Sequence, residues 1–160
     1  MHIFTDGGCS GNPGPGGWAY IIAKENYESD DPKNAIIKEA WGAEENTTNN
    51  RMELQAVISA LEALPALDRA RKIEVYTDSQ YVQKGMSQWI KDWKVRGWKT
   101  AGKDPVKNQD LWQRLDSLAA DYSINWRWVK GHAGNVFNER CDSFTQKAIA
   151  SILNSNKSER

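Results

Sequence analysis

The sequence predicts an α/β fold: a five-stranded mixed sheet, an antiparallel meander followed by parallel strands, flanked by helices. Three short β-branched and aromatic runs crowd the region before Gly42, separated by turn-forming stretches. Beyond it, helical and strand periodicities alternate. A strand–helix–strand order with that spacing requires a crossover and at least one parallel pair.

Residues 3–5 open as a buried strand that ends at Asp6, a poor strand former. Six glycines and two prolines between Gly7 and Gly17 then force tight turns before residues 18–24 resume as a second strand. Taken alone, Asp6 reads as a solvated aspartate in a hairpin loop. Residues 25–34 form a polar excursion, and 35–42 a third strand. Residues 47–53 offer several N-cap candidates ahead of a helical stripe of Leu54, Val57, Ile58, Leu61 and Leu64, which Pro65 stops. Glu53 falls off that stripe in the first turn, where a carboxylate can equally well just complement the helix dipole. Residues 72–77 are a fourth strand ended by Asp78, which can cap the following helix or sit where open α/β sheets place ligand chemistry. A helix over 108–120, a fifth strand over 123–129, and a glycine-flanked loop carrying His132 follow. Asn138 is expected to cap the final helix, with Asp142 opening its second turn and Phe144, Ala148 and Ile152 facing inward. The chain reads as a single domain over 1–153 with a polar, frayed tail over 154–160.

Overall charge says little about partners, because 21 basic and 21 acidic residues cancel. Attraction to a polyanion therefore needs a local patch. Residues 87–107 supply one, with six basic residues against two acidic ones and three tryptophans interleaved. Trp89 and Trp93, four apart, could be ordinary core. Cations bracketing them favour a nucleic-acid surface, with rings stacking on bases or sugars and lysines meeting phosphates. Cys9 and Cys141 are too few for a disulfide framework, and no apolar run reaches membrane-spanning length. The expected setting is soluble, reducing and cytoplasmic, with no membrane partner, and the expected state is a monomer.

Asp6, Glu53, Asp78 and Asp142 come from four separate elements. Carboxylates without cysteine or paired-histidine partners suit hard cations, Mg²⁺ or Mn²⁺ rather than zinc. Mutual repulsion in such a group is a reason to expect metal. Two ions ~4 Å apart can activate water and stabilise the leaving oxygen of a phosphodiester. Carboxylates, a basic Trp-rich patch and one loop histidine together point to a nuclease.

Several stretches carry a closer likeness: Thr5-Asp6-Gly7-Gly8-Cys9-Ser10-Gly11-Asn12, Thr47-Thr48-Asn49-Asn50-Arg51-Met52-Glu53, Thr77-Asp78-Ser79-Gln80, Gln88-Trp89-Ile90, Trp128-Val129-Lys130-Gly131-His132-Ala133-Gly134 and Asn138-Glu139-Arg140-Cys141-Asp142. In these the chain resembles bacterial type 1 ribonuclease H over residues 3–150. The resemblance implies the ribonuclease H-like fold and hydrolysis of the RNA strand of RNA/DNA hybrids, leaving 3′-hydroxyl and 5′-phosphate ends. It implies that Asp6, Glu53, Asp78 and Asp142 bind metal, two ions with substrate bound, and that His132 moves protons or assists product release. It matches Cys9, Asn12, Asn49 and Gln80 to contacts around the RNA 2′-hydroxyls, and Thr48, Arg51 and Asn108 to a pocket for a DNA-strand phosphate. Trp89, Trp93 and Lys94 match the basic protrusion that grips the DNA strand, here diluted by Asp92 and Val95. Two alternatives stay open: a DNA nuclease or transposase-type enzyme on the same fold, which would not need the 2′-hydroxyl set, and a hybrid-binding module, which would not need four carboxylates.

Overall fold

The computed structural model describes residues 1–25, 27–29, 31–64, 72–130 and 135–158. Its centre is a five-stranded sheet in the order β3-β2-β1-β4-β5, formed by β1 (His2–Cys9), β2 (Gly14–Ala23), β3 (Ile36–Thr47), β4 (Lys72–Thr77) and β5 (Ser123–Trp128). β1, β2 and β3 pair antiparallel, while β4 lies parallel to β1 and β5 parallel to β4. This is the expected mixed sheet.

Alternation along β1 divides the core. Ile3 belongs to the cluster under α2 (Asn49–Glu62) and α5 (Gln109–Ala119), with Leu54, Val57, Leu61, Trp112 and Leu115. Phe4 belongs to the cluster under α6 (Val136–Ser158), with Ile21, Phe137 and Cys141. The remaining helices are the short α1 (Pro32–Ala35), in the excursion between β2 and β3, α3 (Gln80–Lys84) and α4 (Ile90–Val95). A π-helical turn over Gly85–Trp89 joins the last two into one continuous helix. Gly85 fits there because a Cβ would stand 2.0 Å from the Trp112 ring. No helix among the described residues is long and apolar enough to cross a membrane.

Several boundaries differ from expectation. β1 and β2 run on to Cys9 and from Gly14, since the glycines continue the ladder, with Gly8 opposite Gly17. Asp6 therefore lies inside β1, opposite Ala19. It still ends the parallel part of the sheet, where β1–β4 pairing stops at Phe4. Thr48 caps α2, its Oγ1 accepting from the Arg51 amide at 3.3 Å, which puts Glu53 in the second turn rather than at the helix's positive end. Ser79, not Asp78, caps α3 through the Val82 amide. Asn135 accepts from the amides of Phe137 and Asn138, so Asn138 lies in the first turn of α6 instead of capping it. The inward face of α6 is Phe137, Cys141, Thr145, Ala148 and Ile149, with Phe144 and Ile152 only half-buried. The expected frayed end is helical through Ser158.

One contact ties the fold to Glu53. A Cβ on Gly7 would lie 2.4 Å from the Met52 carbonyl carbon and 2.5 Å from the Glu53 nitrogen, so α2 rests directly on the bare backbone of β1. Gly8, one residue on, would meet nothing nearer than Asn49 Oδ1 at 3.9 Å. Gly7→Ala should therefore cost ~1–3 kcal/mol or more in urea unfolding and reduce catalysis by displacing Glu53, whereas Gly8→Ala should change stability by less than ~1 kcal/mol. Equal behaviour of the two variants would contradict this packing.

Candidate active site

The sheet and α2 bring three carboxylates together. Asp6 projects from β1, Glu53 from the second turn of α2, and Asp78 from the residue after β4. One oxygen from each lies within 4.8 Å of the others. Asp142, on α6, lines the same small cavity as Asp6 and Asp78, beside Thr5, Val129, Lys130 and Asn138. That cavity holds about 20 Å³, room for one or two water-sized species. His132 lies outside the described residues.

The cluster is electrostatically unfavourable by itself. Burial, then the charge of Asp78 and that of Asp142, push the Asp6 carboxyl up to about 7, against an opposing hydrogen bond from Thr145. Burial also drives Glu53 far above the ordinary carboxylate range, with Asp78 and Asp6 adding to it. Glu53 Oε2 is buried and finds no hydrogen-bond partner among the described residues. A buried acceptor without a donor, facing two more carboxylates, fits a cation-binding site made entirely of oxygen ligands.

Sequence reasoning missed the groups that hold this cluster in place. The Trp128 indole N–H donates to the Asp78 carbonyl at 3.0 Å, and the Val129 amide donates to the Thr77 carbonyl at 2.9 Å. Both bonds tie β5 to the backbone bearing Asp78. Thr145 is fully buried on α6, its hydroxyl donating to the Cys141 carbonyl at 3.0 Å. An apolar-stripe reading passes over a threonine. Only its place between Cys141 and Ala148 on the inward face could have flagged it.

The other candidate contacts fall into two groups flanking the carboxylates. Asn49 Oδ1 accepts from the Cys9 amide at 2.8 Å, and Asn12 Oδ1 accepts from the Asn49 amide at 3.2 Å. These bonds fasten the β1–β2 turn to the start of α2, while Gln80 sits exposed at the first position of α3. Thr48, Asn49, Asn12 and Asn108 line an open groove with Asn50 and Lys107. Arg51 reaches its edge, donating to Asn108 Oδ1 at 3.3 Å and pairing with Asp110. Farther off, Trp93 packs its edge on the buried Trp112, centroids 5.2 Å apart, and Trp89 leans on Trp93 at 5.9 Å. Trp93 is therefore partly a core residue, as its four-residue spacing from Trp89 allowed. Lys94 pairs with Asp116 at 3.2 Å.

Comparison with known proteins identifies the family. The RNase H family model matches residues 1–150. A Ribonuclease H of Chromobacterium violaceum is 54% identical over 153 residues, covering 95% of this chain and 96% of its own. A Ribonuclease H of Herminiimonas arsenicoxydans is 54% identical over 156 residues, covering 98% of each. Among solved structures, LC9-RNase H1, a type 1 RNase H with the type 2 active-site motif, aligns with a TM-score of 0.77 at 34% identity, over 94% of this chain and 72% of that one. LC11-RNase H1, solved in complex with an RNA/DNA hybrid, aligns with a TM-score of 0.71 at 25% identity, over 95% of this chain and 98% of that one. The chain belongs to the RNase H family.

Proposed function

We propose that this protein is an endoribonuclease that hydrolyses the RNA strand of RNA/DNA hybrids with the help of divalent cations, leaving 3′-hydroxyl and 5′-phosphate ends. The observation that carries the reading is the trio of Asp6, Glu53 and Asp78, with oxygens within 4.8 Å of one another and one Glu53 oxygen buried without a partner. Asp142 lines a cavity with Asp6 and Asp78 and is assigned as the fourth ligand. The all-oxygen chemistry favours Mg²⁺, with Mn²⁺ as a substitute, and two ions once substrate adds its own oxygens. Held by these carboxylates, such ions would supply Lewis acidity for activating water and stabilising the departing oxygen.

The chain's own groups do the rest. Asp6, Glu53, Asp78 and Asp142 concentrate the site's negative charge, and Trp128 holds the backbone that bears Asp78 in place. This reading assigns Cys9, Asn12, Asn49 and Gln80 to recognition of ribose 2′-hydroxyls, and Thr48, Arg51 and Asn108 to a phosphate of the complementary strand. Attack of water on phosphorus breaks the bond to the 3′ oxygen, which takes a proton and departs. The same reading takes the chain as a single-domain monomer acting in the reducing cytoplasm, where Cys9 and Cys141 stay free thiols.

The test offers labelled RNA/DNA, DNA/DNA and RNA/RNA duplexes to the protein with Mg²⁺, with Mn²⁺ and with chelator. Cleavage confined to RNA opposite DNA, and abolished by chelator, is the expected result. Comparable cutting of DNA/DNA would move the protein to another nuclease class. Tight hybrid binding without cutting in either metal would make it a binding module.

Two variants probe the periphery. Histidine titrates near neutral pH and can pass a proton where a metal cannot. His132→Ala should slow turnover ~10–100-fold at an almost unchanged KM, since water can partly replace the imidazole. Wild-type turnover from pH 6 to 8, or a loss as deep as that of a metal-ligand variant, would refute this role. Replacing Lys91, Lys94, Arg96 and Lys99 with alanine should weaken hybrid binding and lower the log–log salt slope by ~0.7–0.9 for each phosphate left unneutralised. Turnover at saturation should move much less, and the reverse pattern would contradict the assignment.

A further inference from the structure

We infer that Asp110 and Asp116, both on α5, are built-in competitors for the phosphates of the nucleic acid. They hold Arg51 and Lys94 in ion pairs that an incoming phosphate must displace, which keeps hybrid affinity low and its salt dependence shallow. The inference rests on the reading of Arg51 and Lys94 as phosphate contacts.

The Arg51 pair has the geometry a guanidinium uses for phosphate. Nη1 donates to Asp110 Oδ1 at 3.0 Å and Nη2 donates to Oδ2 at 2.8 Å, two parallel bonds from one fork. A third N–H goes to Asn108 Oδ1. Asp110 is the second residue of α5, directly after the Lys107–Asn108 edge of the open groove, and its carboxyl is well exposed. The Arg51 guanidinium holds that carboxyl below its ordinary range, so it stays charged at neutral pH. Six residues along the same helix, Asp116 takes Lys94 Nζ at 3.2 Å. Two of the cations assigned to the substrate are thus already matched by carboxylates of the protein itself.

Surface pairs of this kind add little to folding stability. Their larger effect falls on binding. A carboxylate within bonding distance of the cation stands a few ångströms from the place a phosphate would take, and like charges at that distance repel even in high dielectric. A cation neutralised in advance also releases fewer condensed counterions when it meets the polyanion, and counterion release sets the salt slope.

The test uses the full chain with Asp110→Asn, Asp116→Asn and the double substitution, plus Asp121→Asn, just past the end of α5, as a control matched in charge to each single substitution. Binding of a short RNA/DNA hybrid is measured in chelator, where no cleavage occurs, across ~20–200 mM salt. The double variant should bind ~5–20-fold tighter at low salt, with a slope steeper by ~1.4–1.8 for two cations unmasked. The control should shift affinity less than ~2-fold, and turnover at saturating hybrid should stay within ~2-fold of wild type. A gain in affinity cannot arise from misfolding, which makes this direction decisive. Unchanged or weaker binding by the double variant, with a wild type that binds hybrid normally, would overturn the inference and make the pairs orienting clamps. A gain matched by Asp121→Asn would reduce the effect to bulk charge and overturn it too. A wild type showing no salt-dependent hybrid binding would remove the functional reading itself.

Discussion

Glu53→Gln is expected to bind hybrid within a few-fold of wild type and to lose nearly all cleavage. The substitution keeps the shape of the side chain and removes one negative charge from a group that Asp6 and Asp78 face at close range. Glu53 is almost wholly buried, so it offers the nucleic acid little surface to touch. Its worth lies in donor strength: a neutral amide oxygen is a weaker ligand for a hard cation than a carboxylate. Its amide nitrogen would also present hydrogens toward a site built to receive positive charge. The carboxyl's high folded-state pKa gives a second expectation for the wild type. Proton and cation compete for this group, so divalent-ion affinity should rise with pH and proton release should accompany ion binding, both readable by calorimetry. In the glutamine variant the titrating group is gone, and proton release should fall. Strong Mg²⁺-dependent cleavage by Glu53→Gln would show that the assignment is wrong.

Much of this was legible in the sequence because the fold uses simple signals where it positions the site. Residues 72–77 alternate as a strand and Asp78 follows, and the structure ends β4 at Thr77. The stripe from Leu54 to Leu61 forms the buried face of α2, which leaves Glu53 as an anomaly to be explained. What could not be read came from tertiary override of local propensity. The glycines from Gly7 to Gly17 read as loop because glycine is a poor strand former. Yet Gly7, Gly8, Gly16 and Gly17 pair in the β1–β2 ladder, where Gly7 and Gly16 let α2 approach the sheet and Gly17 lets α6 do so. The π turn at Gly85–Trp89 sits where the Trp112 ring fills the space beside Gly85, a contact between residues 27 apart with no local trace. Thr145, Trp128 and the Arg51–Asp110 pair act across elements, and nothing in their own neighbourhoods announces the partner.

Asp6→Asn should abolish cleavage and at the same time stabilise the metal-free protein at neutral pH. A carboxyl raised from 3.8 to about 7 by folding binds its proton more tightly in the native state than in the unfolded chain. Below about pH 4 both states are protonated and the group has no effect on stability. Between about pH 4 and about 7 the unfolded chain gives up the proton while the native state keeps it, so stability falls as pH rises; above about 7 the loss is constant. At 1.36 kcal/mol per pH unit the full loss is on the order of 4 kcal/mol, an upper figure because Asp6 is coupled to its neighbours. Asparagine keeps the size and can still hydrogen-bond Thr145, but carries no charge for burial and Asp78 to penalise. Urea unfolding with chelator should therefore give nearly equal stabilities at pH 4 and a variant ~1–4 kcal/mol more stable at pH 7.5, with a flatter profile between. Millimolar Mg²⁺ should narrow the difference at pH 7.5 by stabilising the wild type more than the variant, since an ion that binds only the folded state raises its stability. A variant no more stable than wild type at pH 7.5, with equal values at pH 4, would mean that Asp6 is solvated enough to ionise freely and that the cluster stores no repulsion for a cation to relieve.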